Sequence, residues 1–181
     1  MNTPSFREIS VDDLSFNPFS KVLKQWMLIS AGTEKDCNTM TASWGMFGGL
    51  WQKNVVQIFI RPQRFTKTFI DSYDSVTLSF LPDGYRDALK ICGTISGRDT
   101  DKWKKAGISP YPISGTVAVA EAELVIVGKK LYSQSIDPKL FVDKNIDASV
   151  YPDKDYHEAY IYEVCRVFEK AHGNQFCPRT V

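Results

Sequence analysis

The chain has 181 residues, about one domain's length, enough to bury a core without disulfide or metal staples. Twenty-two basic residues face 21 acidic ones, so the footprint of a duplex nucleic-acid binder is missing, and 43% hydrophobic content argues against disorder. The unusual figure is 13% aromatic residues, spread along the whole chain.

Residues 24–30 (KQWMLIS) predict a strand stopping at Ala31-Gly32. Residues 38–49 begin with β-formers and end in a glycine-rich, flexible stretch. Residues 55–60 (VVQIFI) predict a buried strand, ended by Arg61-Pro62 because proline cannot donate to a ladder. A short helix follows over 65–73, with Phe65 and Phe69 on one face. Residues 75–81 predict a strand closed by the turn Pro82-Asp83-Gly84. Two short helices are expected over 85–91 and 100–106, the second capped by Asp99 and stopped by Gly107. Residues 116–127 are strand-rich, with a turn or bulge at Gly128-Lys129-Lys130. Asp137-Pro138 opens a short helix through Val142, and 156–168 form a last long strand. The tail after Glu169 reads as loop. Sustained βαβ alternation is missing, so the pattern favours a mainly β antiparallel barrel with helical decoration.

Four cysteines, at 37, 92, 165 and 177, lack the spacing of a zinc knuckle or a redox pair, and they suit a reducing, cytoplasmic setting as buried structural thiols. No signal peptide or membrane-length apolar run is apparent, so neither a membrane nor a nucleic acid is an expected partner. The two histidines and scattered carboxylates give no metal signature. No serine lies in a hydrolase-type GxSxG context.

Three segments carry chemistry. Arg61, Arg64, Thr66 and Lys67 concentrate cations and a hydroxyl at a strand end entering a helix, which suits an anion. Composition alone balances that reading against a solvated basic loop, and the strand-Pro-helix context tips it towards the anion. Residues 38–44 alternate small polar and apolar side chains, ending in an indole. Such a strand can lie against a flat heterocycle, although an ordinary strand with a wet face is the commoner reading. Residues 92–102 set two glycines around a hydroxyl loop: a capped turn, or a second pocket wall. His157, beside Tyr156, reads as a packed strand histidine, with a proton donor or substrate contact as the sharper alternative.

In order and separation, NTMTASWG at 38–45, IRPQRFT at 60–66 and CGTISGRDTDK at 92–102 resemble the flavin reductase-like, FMN-binding split-barrel family, in particular its flavoredoxin branch. A weaker match lies at Tyr156-His157 and 160–164. The resemblance covers about 20–168 and treats 1–181 as one domain. It implies a six-stranded antiparallel split β-barrel of Greek-key character with short flanking helices. It also implies a homodimer with non-covalent FMN near the subunit interface. On this resemblance Arg61, Arg64 and Thr66 hold the phosphate, with Lys67 as a further candidate and Phe65 beside the flavin contacts. Asn38, Thr39, Met40, Thr41, Ala42 and Ser43 run along the ring and ribityl chain, with Trp44 as a stacking wall. Cys92, Ser96, Gly97, Asp101 and Lys102 supply the second loop, and His157 lies on the reactive side. The sequence departs from the family at Tyr162, where glycine is expected before Glu163-Val164.

Since the flavin carries the redox chemistry, no protein nucleophile is required. The leading expectation is an NAD(P)H-dependent flavin reductase passing electrons through FMN to an acceptor. The alternatives are an electron carrier reduced by a protein partner and a non-catalytic flavin-binding module.

Overall fold

A computed structural model describes residues 5–171. Ten strands form: β1 (Phe6–Ile9), β2 (Met27–Gly32), β3 (Cys37–Ala42), β4 (Gly45–Leu50), β5 (Lys53–Ile60), β6 (Ser75–Phe80), β7 (Pro110–Ile113), β8 (Thr116–Val119), β9 (Leu124–Ser135) and β10 (Glu158–Lys170). The helices are α1 (Pro18–Ser20), α2 (Thr66–Ser72), α3 (Arg86–Thr94), α4 (Lys102–Ala106) and α5 (Lys144–Val150). The main sheet runs β3-β2-β6-β9-β10-β5-β4, antiparallel throughout, with β1 also paired to β10. The six expected strands are therefore a contiguous run, and β1 and β4 extend the sheet to eight. The order β6-β9-β10-β5 places β5 beside the last of three successive partners, a Greek key. No ladder joins β3 to β5, although the two touch, so the barrel stays split along that seam.

Alternation on the central strands builds two cores. Met27, Ile29 and Ala31 of β2 and Val76, Leu78 and Phe80 of β6 point into the barrel, where they meet Ile58, Ile126, Tyr160 and Tyr162. Leu28 of β2 and Val125 and Val127 of β9 point outward, under Ala88, Leu89 and Cys92 of α3 and the β7–β8 hairpin. All six residues of β2 are buried for this reason. Between the cores, the Thr77 hydroxyl donates to Val117 O at 2.7 Å and the Ser79 hydroxyl accepts from Val119 N at 3.2 Å, so neither buried side chain lacks a partner.

Several boundaries differ from the sequence reading. Lys24 and Gln25 belong to a π-helical turn, Lys21–Gln25, not to β2. The Arg86 guanidinium donates to the Lys24 and Gln25 carbonyls and stacks 3.6 Å from the Trp26 ring, which satisfies a turn end that local propensity does not reveal. The glycine-rich stretch after Trp44 is a strand, β4, in register with β5. The cap of α4 is Asp101, whose carboxylate accepts from Lys104 N at 3.2 Å, not Asp99; Gly107 does stop it, at φ 64°. The helix after Asp137 is one 3-10 turn, Pro138–Leu140. At 128–130 the chain does not turn, since β9 runs through, and the bulge alternative holds: the ladder to β10 is irregular at Leu131, and again near Cys165. β1, β7 and α5 were not anticipated. His172, Cys177 and the loop expected beyond residue 171 lie outside the described residues.

Tyr162 is buried against β9, where a Cβ built on Gly128 would lie 2.9 Å from the Tyr162 Cβ. Glycine on the neighbouring strand thus makes the room that the expected glycine at 162 would have made. The Tyr162 hydroxyl is sealed from solvent with no hydrogen-bond partner among the described residues. Gly128→Ala is therefore expected to lower stability by about 1–3 kcal/mol through overpacking. Tyr162→Phe is expected to leave stability unchanged or raise it by about 1 kcal/mol, because an unsatisfied buried group is removed. Urea denaturation of both variants checks the pair; a strongly destabilised Tyr162→Phe would show that the hydroxyl has a partner.

Candidate functional site

A groove of about 240 Å³ opens beside the β3 end of the sheet. Its lining combines Met40, Thr41, Ala42, Ser43 and Trp44 with Phe59, Arg61, Arg64 and His157. The strand β3 and its continuation supply one wall, because the short link from Ala42 to Gly45 carries Ser43 and Trp44 along the rim. Arg61 and Arg64 arrive from the turn after β5, where Pro62 ends the strand and the Arg64 amide donates to Arg61 O at 3.1 Å. Trp44 and His157 close the far side, their rings 4.8 Å apart.

Both arginines are engaged yet keep spare donors. Arg64 donates to Gly93 O at 2.5 Å and to Cys92 O at 3.1 Å, clasping the last carbonyls of α3. Burial pulls its pKa below the usual arginine range. Arg61 donates to Val150 O at 3.0 Å and pairs with Asp155, which also accepts from Gln63 at 2.6 Å. A guanidinium has five N–H groups, so each arginine retains donors for an anion in the groove.

Behind β3 lies a buried polar layer. Asn38 donates from Nδ2 to Thr66 Oγ1 at 3.0 Å, so the Thr66 hydroxyl proton is unspent. Gly97 sits on the same amide: a Cβ there would come within 2.5 Å of Asn38 Oδ1. Lys102 is buried and donates to Thr39 O at 2.6 Å; burial, reinforced by Arg64, lowers its pKa to about 8. Cys92 is buried near both cations, and burial raises its thiol pKa despite them. Segments 38–44, 61–66 and 92–102 therefore meet at one place.

Several residues named from the sequence sit elsewhere. Lys67 points to Asp71, at 2.7 Å, and to the Tyr160 ring, so it adds no charge to the groove lining. Phe65 packs on Phe69 and under the Arg98 guanidinium. The Ser96 hydroxyl accepts from Arg98 N, and the Asp101 carboxylate is spent on α4. Thr39 turns its hydroxyl away to Ile29 O, whereas Thr41 stays in the groove lining with its hydroxyl donating to Leu89 O of α3. Phe59, Tyr151 and Asp155 belong to the site or its support and were not assigned from sequence. Phe59 reads there as a buried strand residue, and residues 151–155 match no motif.

His157 precedes β10 instead of lying inside it. Its Nδ1 is 2.9 Å from the Tyr151 hydroxyl. Burial, with the Arg61 charge added, lowers its pKa to about 4 against the opposing pull of Asp155. The imidazole is therefore neutral at pH 7 and does not serve as an imidazolium acid. The unfolded chain takes up this proton first as pH falls, so stability present above about pH 6.5 is lost progressively towards pH 4. The expected loss is on the order of 3 kcal/mol. Chemical denaturation across that range should show the slope, and His157→Asn should flatten it.

Among the described residues, no group of three or more His, Cys, Asp or Glu is placed to hold a metal ion, and no helix is long and apolar enough to cross a membrane.

The flavin reductase like domain family matches residues 19–175. Among solved structures, an FMN-binding domain of a flavin reductases-like enzyme from Shewanella baltica OS155 superposes with a TM-score of 0.66 at 14% identity, covering 94% of this chain and 80% of its own. Flavoredoxin of Desulfovibrio vulgaris (Miyazaki F) gives 0.60 at 19% identity, covering 78% and 67%. An FMN-binding protein from Thermus thermophilus with bound 1-cyclohex-2-enone gives 0.61 at 21%, covering 80% and 69%. At these identities the likeness speaks for the fold. No curated protein sequence matches the chain.

Proposed function

Because the chain belongs to the flavin reductase-like family, we propose that its groove binds FMN without a covalent link and that the protein is an NAD(P)H-dependent flavin oxidoreductase. The observation that carries this reading is the convergence of two guanidiniums with spare donors and an aromatic rim on one strand-walled groove. The residues fit the cofactor chemically. Arg61 and Arg64 would hold the phosphate as charge-assisted donors. The backbone from Met40 to Ser43 would lie along the ring system, with Trp44 and neutral His157 at its edge. Bound flavin supplies two-electron redox chemistry, and the protein's part is to bind, orient and tune it. Lys102, buried behind β3, places a cation near the strand and would favour a reduced, anionic ring.

One chain offers about 240 Å³, below the roughly 300–1,000 Å³ of ligand pockets, so a second wall is needed. Phe59 also lines an adjoining apolar hollow of about 390 Å³ with Tyr132, Leu140, Phe141 and Ile161. A second copy of the chain covering that face would complete the site, which is the reading we adopt: a homodimer. The same exposed face favours a second reading, an electron carrier that exchanges electrons with a protein partner. We infer a cytoplasmic setting from the wide spacing of the four cysteines along the chain.

The test is to titrate the flavin-free protein with FMN by fluorescence quenching, then add NADH or NADPH anaerobically. Saturable quenching and bleaching of the flavin colour are expected. Absence of FMN binding rejects the reading. Binding without bleaching by either nicotinamide moves the assignment to the electron carrier.

A further inference from the structure

Tyr151 follows α5 and is nearly buried, 3% exposed, yet does not itself line the groove. Its ring clusters with those of Phe141 and Tyr156, with centroids 6.0 and 4.9 Å away, and the Arg61 guanidinium lies 5.3 Å from its centre. Burial raises its pKa, so the phenol keeps its proton. Among the described residues the one acceptor within reach of that proton is His157 Nδ1, at 2.9 Å.

A neutral imidazole has one N–H and one bare nitrogen. Were Nδ1 protonated, the phenol would face a donor and its own proton would have no acceptor, a costly state for a buried group. With Tyr151 donating, Nδ1 is bare and the imidazole proton sits on Nε2. Among the described residues that nitrogen has no partner, it is not sealed from solvent, and His157 lines the groove.

We propose that Tyr151 is a positioning residue: by donating to Nδ1 it locks His157 as the Nε2–H tautomer and presents a neutral hydrogen-bond donor to an electron-rich acceptor atom of the ligand held in the groove. The part that concerns the ligand rests on the flavin reading above. The charged and titratable groups around the imidazole are Tyr151 after α5, Asp155 in the loop before β10 and Arg61 after β5. Arg61 and burial oppose an imidazolium, which keeps the donor neutral across the physiological range. A neutral donor strengthens its hydrogen bond as negative charge grows on the acceptor, with no proton transferred.

The first test uses flavin-free protein and nitrogen-correlated NMR of the imidazoles at pH 7, with His172→Gln leaving one histidine signal. The parent is expected to carry its proton on Nε2 alone, and Tyr151→Phe to show both tautomers in exchange. A proton on Nδ1 in the parent overturns the proposal, as does an unchanged single tautomer in Tyr151→Phe. The parent measurement stands even if the variant fails to fold. In FMN-loaded protein, Tyr151→Phe is expected to lower the flavin midpoint potential by about 30 mV, the two-electron equivalent of a tenfold change. An unshifted potential overturns the link to the bound ring. Failure of the parent to bind FMN rejects the flavin reading instead, and the tautomer assignment is then judged by the NMR result alone.

Discussion

Arg64→Ala is expected to weaken FMN binding by about 10- to 100-fold and to lower stability by about 1–3 kcal/mol. The two losses have separate causes. A guanidinium–phosphate contact contributes roughly 1.5–3 kcal/mol as a charge-assisted hydrogen bond, and each 1.4 kcal/mol is tenfold in affinity. The stability loss arises because Arg64 holds Gly93 O and Cys92 O at the end of α3, where carbonyls have no intrahelical donor and the helix dipole is negative. Arg64→Lys separates the two effects. It keeps the charge but cannot fork across two carbonyls, so part of the FMN affinity should return while the stability deficit persists. Fluorescence titration reads the first quantity and thermal melting the second. A folded Arg64→Ala protein with parental FMN affinity would remove this arginine from the phosphate site.

Among the described glycines, Gly32→Ala should be the most damaging, costing about 3 kcal/mol or more. Gly32 ends β2 at φ 114°, a region that side chains rarely adopt. A Cβ there would lie 2.3 Å from Asp36 O and 2.8 Å from Cys37 Cα, backbone atoms at the turn's end and the first residue of β3. The turn cannot yield easily, because Asp36 O accepts from Thr33 N at 2.9 Å and Cys37 opens β3. Opening it displaces the strand that walls the groove, so FMN affinity should fall with stability. Gly107→Ala is the control: its φ of 64° is also left-handed, but nothing lies within 4 Å of the added atom, so a cost of about 1–2 kcal/mol is expected. Equal urea midpoints for the two variants would contradict the close contact at Gly32.

The chain's order of strands and short helices was legible because alternation and turn residues are local. Val55 to Ile60 and Ser75 to Phe80 read directly as strands from β-branched runs bounded by proline, aspartate and glycine. The three site segments were legible together, since Asn38, Thr66 and Gly97 do share one buried contact network. What each charged side chain does there was not. Lys67 and Arg64 lie three residues apart in one basic run, yet Lys67 pairs with Asp71 and Arg64 enters the groove. Sequence spacing put both in one candidate anion-binding run, while the direction in which α2 leaves β5 divides them. The roles of Tyr151 and Asp155 come from a connection between β9 and β10 that folds back over Arg61. Tyr162 shows the same division. Its departure from the family pattern was visible in the sequence, but its accommodation depends on Gly128, 34 positions away and adjacent only through the β9–β10 ladder. The sequence alone thus determined the strand content, the family resemblance and the three segments of the site, because these are encoded over short windows. The tertiary structure decided which cations face the groove, which hydroxyl His157 meets and how Tyr162 is housed, because each depends on partners brought together across the sheet.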